Sequence, residues 1–193
     1  MARRATPHHP AVLLPAFDPD DGTLNAIVDT TKGSRNKFEY DMRLGLFRLG
    51  GVLPAGASFP YDFGFVPSTL GDDGDPLDVL VLMDEPAFVG CLVPARLVGV
   101  VEAEQVEEGE TRRNDRLIAV AAKSRSHEDV RSLEDVAANT VHEIEHFFVS
   151  YNAAKGKTFT VLGRGGATRA RALVRAGERR HDRASGTARR RRA

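Results

Sequence analysis

Four carboxylates stand within seven residues in this 193-residue chain: Asp72, Asp73, Asp75 and Asp78, set in Gly-Asp-Asp-Gly-Asp-Pro-Leu-Asp at 71–78. The apolar run Val79-Leu80-Val81-Leu82 follows at once, which puts the acids at the mouth of a buried strand. In an extended backbone Asp73 and Asp75 point to the same side. Gly74 lets the chain bend between them, and Pro76 stiffens the exit. Carboxylates this close repel one another unless a cation neutralises them, and hard oxygen donors suit magnesium. Asp-Gly is also favoured turn chemistry, so an acidic surface turn is the plain alternative. Four acids are more than a turn requires, however, and the later ligands and flanking helices of a calcium EF-hand are missing.

A second pattern competes with the first. His142-Glu143-Ile144-Glu145-His146 satisfies H-E-x-x-H, which on a helix sets two zinc ligands one turn apart with a glutamate base between them. Ile144, Phe147, Phe148 and Tyr151 recur at helical spacing and mark the buried face, so His142 and His146 fall opposite it, toward water. No third ligand follows at the extended spacing, where Val149 and Asn152 stand. Zinc hydrolysis is therefore set aside.

The elements that must position these residues read as follows. Residues 1–22 hold four prolines and form an irregular arm. Strands are expected at 24–28, 37–41, 44–53, 77–83, 92–101 and 117–122, with a polar turn at 32–36. The segment 58–70, rich in Phe, Pro and Gly, reads as an extended irregular wall, and 107–114 as a hairpin loop. Ser132-Leu133-Glu134-Asp135 resembles a helix N-terminal cap. The helix it opens stops near Gly156, a strand returns at 157–162, and a short helix spans 167–176. Several strands with one substantial late helix give a mainly β, α+β fold, a closed barrel with helices packed outside. The domain runs over 23–163, followed at 164–193 by the short helix and a basic, disordered tail.

Bulk properties narrow the function classes. The 41% hydrophobic and 28% charged composition is that of a globular domain with a sizeable core. No apolar run approaches the ~20 residues of a membrane helix. The apolar stretch at 11–14 is cut by Pro10 and Pro15 and is too short for a signal peptide. The single cysteine, Cys91, excludes an internal disulfide framework and reads as a small core residue. A cytoplasmic location is expected. The zero net charge hides an asymmetry. Residues 164–193 carry eleven arginines and two acids, which leaves the rest of the chain nine charges acidic. An acidic body concentrates divalent cations, and a basic tail is suited to acidic surfaces such as nucleic acid.

At this point a family comes into view. Asp73-Gly74-Asp75-Pro76-Leu77-Asp78-Val79-Leu80-Val81 matches D-G-D-P-x-D-V-L-V, the signature of soluble family I inorganic pyrophosphatases. Residues 32–41 resemble that family's early strand motif, and Phe59-Pro60-Tyr61-Asp62-Phe63-Gly64-Phe65 its aromatic segment. Order and spacing agree through 97–100, 115–120 and 146–157, so the resemblance covers residues 24–162. It implies a distorted five-stranded OB-like barrel with flanking helices, hydrolysis of diphosphate with Mg²⁺, or with Mn²⁺ in its place, and a homo-oligomer. By position it implies that Asp73 and Asp78 ligate metal, and that Asp75 holds a metal-bridged water and acts as its base. It further implies that Lys37, Arg116 and Tyr151 contact phosphate oxygens, and that Glu39 supports the site.

Several positions depart from the family pattern. Asp29 stands for a glutamate, Gly51 for a phosphate-binding arginine, and Phe59 and Phe63 for two tyrosines. Gln105 and Asn114 stand for metal-binding aspartates, Asn152 for a lysine, and Arg116 for a lysine. Asp115, next to Asn114, and Glu104, next to Gln105, are the candidate replacement ligands, although a one-residue slip turns a strand side chain to the other face. The alternative function is a catalytically weakened homologue that binds phosphate or nucleic acid through its barrel and Arg-rich tail.

Overall fold

The computed structural model describes residues 14–190, with side chains through residue 186. Nine strands and two helices follow in order: β1 (Leu24–Thr30), β2 (Asn36–Asp41), β3 (Leu46–Val52), β4 (Asp62–Phe65), β5 (Asp78–Leu82), β6 (Leu92–Glu107), β7 (Glu110–Arg113), β8 (Arg116–Ala121), α1 (Ala138–Ala153), β9 (Thr158–Gly166) and α2 (Ala167–Arg190). The main sheet runs β1-β4-β5-β8-β6, and β6 pairs back onto β1, which closes a five-stranded ring. Within the ring β5 and β8 are parallel and the other neighbours antiparallel.

One strand makes the closure possible. The first residues of β6, from Leu92, pair with β1, its middle pairs with β8, and its polar end beyond Val101 leaves the ring to lie between β9 and β7. The apolar run at 92–101 marks only the ring portion, because the exit portion carries Glu102, Glu104 and Gln105. The expected loop at 107–114 narrows to a two-residue turn, with Glu108 and Gly109 both at positive φ, between the end of β6 and strand β7.

The inner face of the ring collects Leu24, Ala26 and Val28 from β1, Val79 and Val81 from β5, Ala95 and Leu97 from β6, and Leu117, Ala119 and Ala121 from β8. A five-stranded ring is narrow, which explains the small side chains. The contribution of β4 is Gly64, paired with Val28 and Val79. A Cβ there would lie 1.9 Å from the Ile27 carbonyl oxygen. The expected irregular wall at 58–70 thus contains a ring strand, whose glycine and flanking prolines mask its pattern. The alternate residues Phe63, Leu80, Leu82, Ile118 and Val120 face outward and are covered by Val141, Ile144 and Phe148 of α1. Fully burying such side chains contributes ~2 kcal/mol each.

Both chain ends depart from the expectation. Ala16 and Phe17, read as part of an irregular arm, are buried in the core, and Phe17 pairs with Leu24. Residues 1–13 lie outside the described residues. The last helix does not stop at Ala176 but continues to Arg190, and Ala170 and Val174 cover the ring on one side. The disordered tail expected from Arg density is therefore helical over most of its length, because Ala, Leu and Arg are strong helix formers and an apolar stripe faces the core. The Ser132 cap closes only a 3₁₀ turn at Leu133–Asp135, since Val136 is extended, and α1 begins later at Ala138.

Candidate active site

The loop between β4 and β5 carries the acids. Thr69 pins its base: Oγ1 donates to the Val66 carbonyl at 2.6 Å and accepts the Leu77 amide at 3.0 Å. The chain reverses at Gly74, where φ is +92°, and the Gly71 amide donates to the Asp75 carbonyl at 2.7 Å. The Asp75 amide donates to Asp73 Oδ1 at 3.2 Å, so the loop's own backbone holds Asp73. Asp73, Asp75 and Asp78 all face one cleft of about 560 Å³.

Cations line the opposite wall. Lys37, on β2, is 8% exposed, and its Nζ lies 2.9 Å from both Asp29 oxygens, 2.7 Å from the Phe38 carbonyl and 4.8 Å from the Phe63 ring centroid. Burial pushes the Asp29 carboxyl up to about 6 even with Lys37 beside it. Arg116, opening β8, is 4% exposed; Nη1 donates to Asp78 Oδ2 at 2.5 Å and to Asn114 Oδ1. The rings of Phe148 and Phe159 lie 4.9 and 5.4 Å from its Cζ, so aromatic faces and one carboxylate replace the water that burial removed. Its Nε is buried without a hydrogen-bond partner among the described residues.

The end of α1 forms the third wall. Tyr151 is stacked on Phe147 with centroids 5.7 Å apart, and burial raises its hydroxyl above the ordinary tyrosine range. Its Oη lies 2.5 Å from Lys155 Nζ, which also sits 4.4 Å above the ring, and burial lowers the ammonium. Glu39 lines the cleft from β2, lying across Gly50, where a Cβ would come 2.3 Å from its carboxyl carbon.

The altered positions have local accounts. Asn152 is 2% exposed and donates to the Phe148 carbonyl at 2.8 Å, so its amide is spent on its own helix. Phe59 is buried in the aromatic layer behind the cleft, and Phe63, also buried, contributes to its lining. Asn114 Nδ2 donates to Gln105 Oε1 at 3.1 Å, and this amide pair lines the cleft. A Cβ at Gly51 would meet nothing within 4 Å.

Asp115 does not line this cleft, although it shares a second cavity with Asp72, Asp73 and Asp78. Its Oδ1 accepts the Ala103 amide at 2.9 Å and Arg113 at 2.8 Å, and it borders a cavity of about 200 Å³ behind the acidic loop. Side-chain alternation explains this: Asn114 and Arg116 face the cleft, and the residue between them faces away. Sequence reasoning missed Lys155 and His181, which both line the cleft. The Tyr-x-x-x-Lys spacing was a readable signal for Lys155. For His181, at the far end of α2, the sequence holds none. His142 and His146 are exposed on α1, as expected.

Among the described residues no three His, Cys, Asp or Glu side chains converge into a ready metal cluster. The chemistry of the donors nevertheless fits a hard divalent ion. Asp73 and Asp75 are oxygen donors whose carboxyls are pushed up first by desolvation and then by the nearby charge of Asp78. That is negative charge lacking compensation, which a cation would relieve.

A partly exposed acidic loop facing buried basic side chains on a closed β ring defines a small-anion site of the kind divalent ions serve. The family model for inorganic pyrophosphatase matches residues 26–182. The inorganic pyrophosphatase of Nostoc sp. is 41% identical over 156 residues, covering 81% of this chain and 90% of that protein. That of Leifsonia xyli is 40% identical over 154 residues, covering 79% and 92%. The crystal structure of the Thermus thermophilus inorganic pyrophosphatase superposes with a TM-score of 0.79 at 36% identity, covering 88% of this chain and 97% of that one. The chain belongs to the soluble family I inorganic pyrophosphatases, a family that implies a divalent metal cofactor. No helix among the described residues is long and apolar enough to cross a membrane.

Proposed function

We propose that this chain hydrolyses inorganic diphosphate to two orthophosphates, with magnesium, or manganese in its place, held by Asp73, Asp75 and Asp78. The observation that carries the reading is the single cleft in which these acids face Lys37, Arg116 and Lys155. Diphosphate is a compact polyanion that bare water attacks poorly. A bound divalent ion supplies neutralising charge and lowers the pKa of water. Lys37 and Arg116, held by burial and by their pairing partners, orient phosphate oxygens and meet the charge that develops in the transition state. The Tyr151 hydroxyl donates to a phosphate oxygen. Asp75 accepts the proton of the attacking water. Glu39 supports the site from β2. Asp115, tied to Arg113 and the Ala103 amide, lies outside this set.

The proposed location is the cytoplasm, and the proposed assembly is a homo-oligomer, which the exposed apolar residues Met42, Leu44, Leu46 and Leu49 around the β2–β3 hairpin support. The rival reading, nucleic-acid binding through the basic tail, is weakened by what α2 does with its arginines. Arg169 pairs with Glu102, Arg171 and Arg175 lie over Phe17, and Arg180 pairs with Asp72.

The test is phosphate release from diphosphate across magnesium and manganese concentrations, with ATP and tripolyphosphate as competing substrates. Asp75→Asn lowers kcat by about 10²–10⁴. No turnover of diphosphate with either metal rejects the proposal.

A further inference from the structure

The acidic loop is held from behind by the far end of the chain. The Leu70 amide donates to the Gly177 carbonyl of α2 at 3.1 Å. Arg180, one helical turn on, donates from Nε to the Leu70 carbonyl at 2.7 Å, and its Nη1 lies 3.3 Å from Asp72 Oδ1. Gly177 packs so closely that a Cβ would come 2.8 Å from Leu77 Cδ1 and 3.1 Å from Thr69 Cβ. His181, the next residue after Arg180, reaches the cleft itself. Helix and loop therefore meet through a backbone hydrogen bond, a bridging guanidinium and an interlocked glycine.

We infer that Arg180 is a positioning residue of the active site: by clasping Leu70 and Asp72 it fixes the loop that presents Asp73 and Asp75, and so sets the affinity of this loop for a divalent cation. The loop needs such support because like charges crowd within it and push it open. Its internal ties include the Thr69 bonds, the Gly71–Asp75 and Gly74–Gly71 backbone bonds and the contact of Asp73 with the Asp75 amide. Arg180 adds a cation without entering the cleft. Its planar guanidinium spans a carbonyl and a carboxylate together, which a lysine ammonium does not.

The inference rests on the proposed metal-assisted function, and its test separates the two. Mn²⁺ binding to the full-length protein is measured by calorimetry without substrate, for the parent, Arg180→Ala, Arg180→Lys and Gly177→Ala. Amide hydrogen exchange is followed at 69–78 and, as a control, in β6. Arg180→Ala and Gly177→Ala are expected to weaken Mn²⁺ binding about fivefold or more and to speed exchange at 69–78 while β6 is unchanged. Arg180→Lys is expected to recover less than half of that affinity. Parent-like Mn²⁺ affinity in both Arg180→Ala and Gly177→Ala overturns the inference, as does a lower melting temperature with unchanged affinity. A parent protein that binds Mn²⁺ but releases no phosphate from diphosphate rejects the functional reading and leaves the clasp to be judged on the binding data.

Discussion

Lys155 stands over the Tyr151 ring at the end of α1 and faces the same cleft as the acidic loop. Position 152, which the family pattern gives to a lysine, is committed to capping a carbonyl inside α1. Lys155 is thus a cation that reaches the cleft from the turn that follows. A charge-assisted hydrogen bond to a phosphate oxygen contributes ~1.5–3 kcal/mol. Lys155→Ala is therefore expected to raise KM for diphosphate about tenfold with kcat within about twofold. Steady-state kinetics at saturating magnesium measure this, and an unchanged KM removes Lys155 from the site. Arg116 follows a different logic. It is so enclosed by Phe148, Phe159 and Asp78 that its charge is part of the cleft before any substrate arrives.

At the scale of elements, the ring depends on β4, the shortest of its strands and the one that sequence patterning misses. Gly64 lets β4 approach β1 closely enough for the ring to close around small side chains. Gly64→Ala forces a methyl against a backbone carbonyl that cannot move without breaking the β1–β4 ladder. Overpacking of this kind costs ~3 kcal/mol or more. Thermal unfolding followed by circular dichroism is expected to show a drop in melting temperature of roughly 10 °C, taking ~2–4 °C per kcal/mol for a chain of this size. A parent-like melting temperature contradicts the close approach.

Charge is distributed over the whole molecule in opposition: an acidic body, and a helix at the C-terminal end rich in arginine. Much of that helix's charge is neutralised against the body by pairs such as Arg169–Glu102 and Arg180–Asp72. Among the described residues Asp73 and Asp75 have no cationic side chain in salt-bridge contact, and desolvation, then the charge of Asp78, raises their carboxyls. A ligand that binds only the folded state stabilises it by ~2.7 kcal/mol at a hundred times its Kd. Magnesium at that concentration is expected to raise the parent's melting temperature by several degrees, and to do so far less in Asp75→Asn. Calorimetric scans with and without the metal measure it, and an equal rise in both proteins places the ion elsewhere.

Sequence by itself determined the family, the acidic loop, the placement of Lys37 and Glu39 on one strand, and the outward facing of His142 and His146. These are short-range matters: side chains two residues apart share a strand face, and residues three or four apart share a helix face. Tertiary structure alone decided that Arg116 is walled in by rings from α1 and β9, and that α2 runs on to clasp the loop through Arg180. Those outcomes depend on which elements meet after ring closure, and the partners involved are separated by dozens of residues along the chain. A local pattern carries no record of such meetings, because the free energy that selects them comes from burial and pairing in the assembled fold.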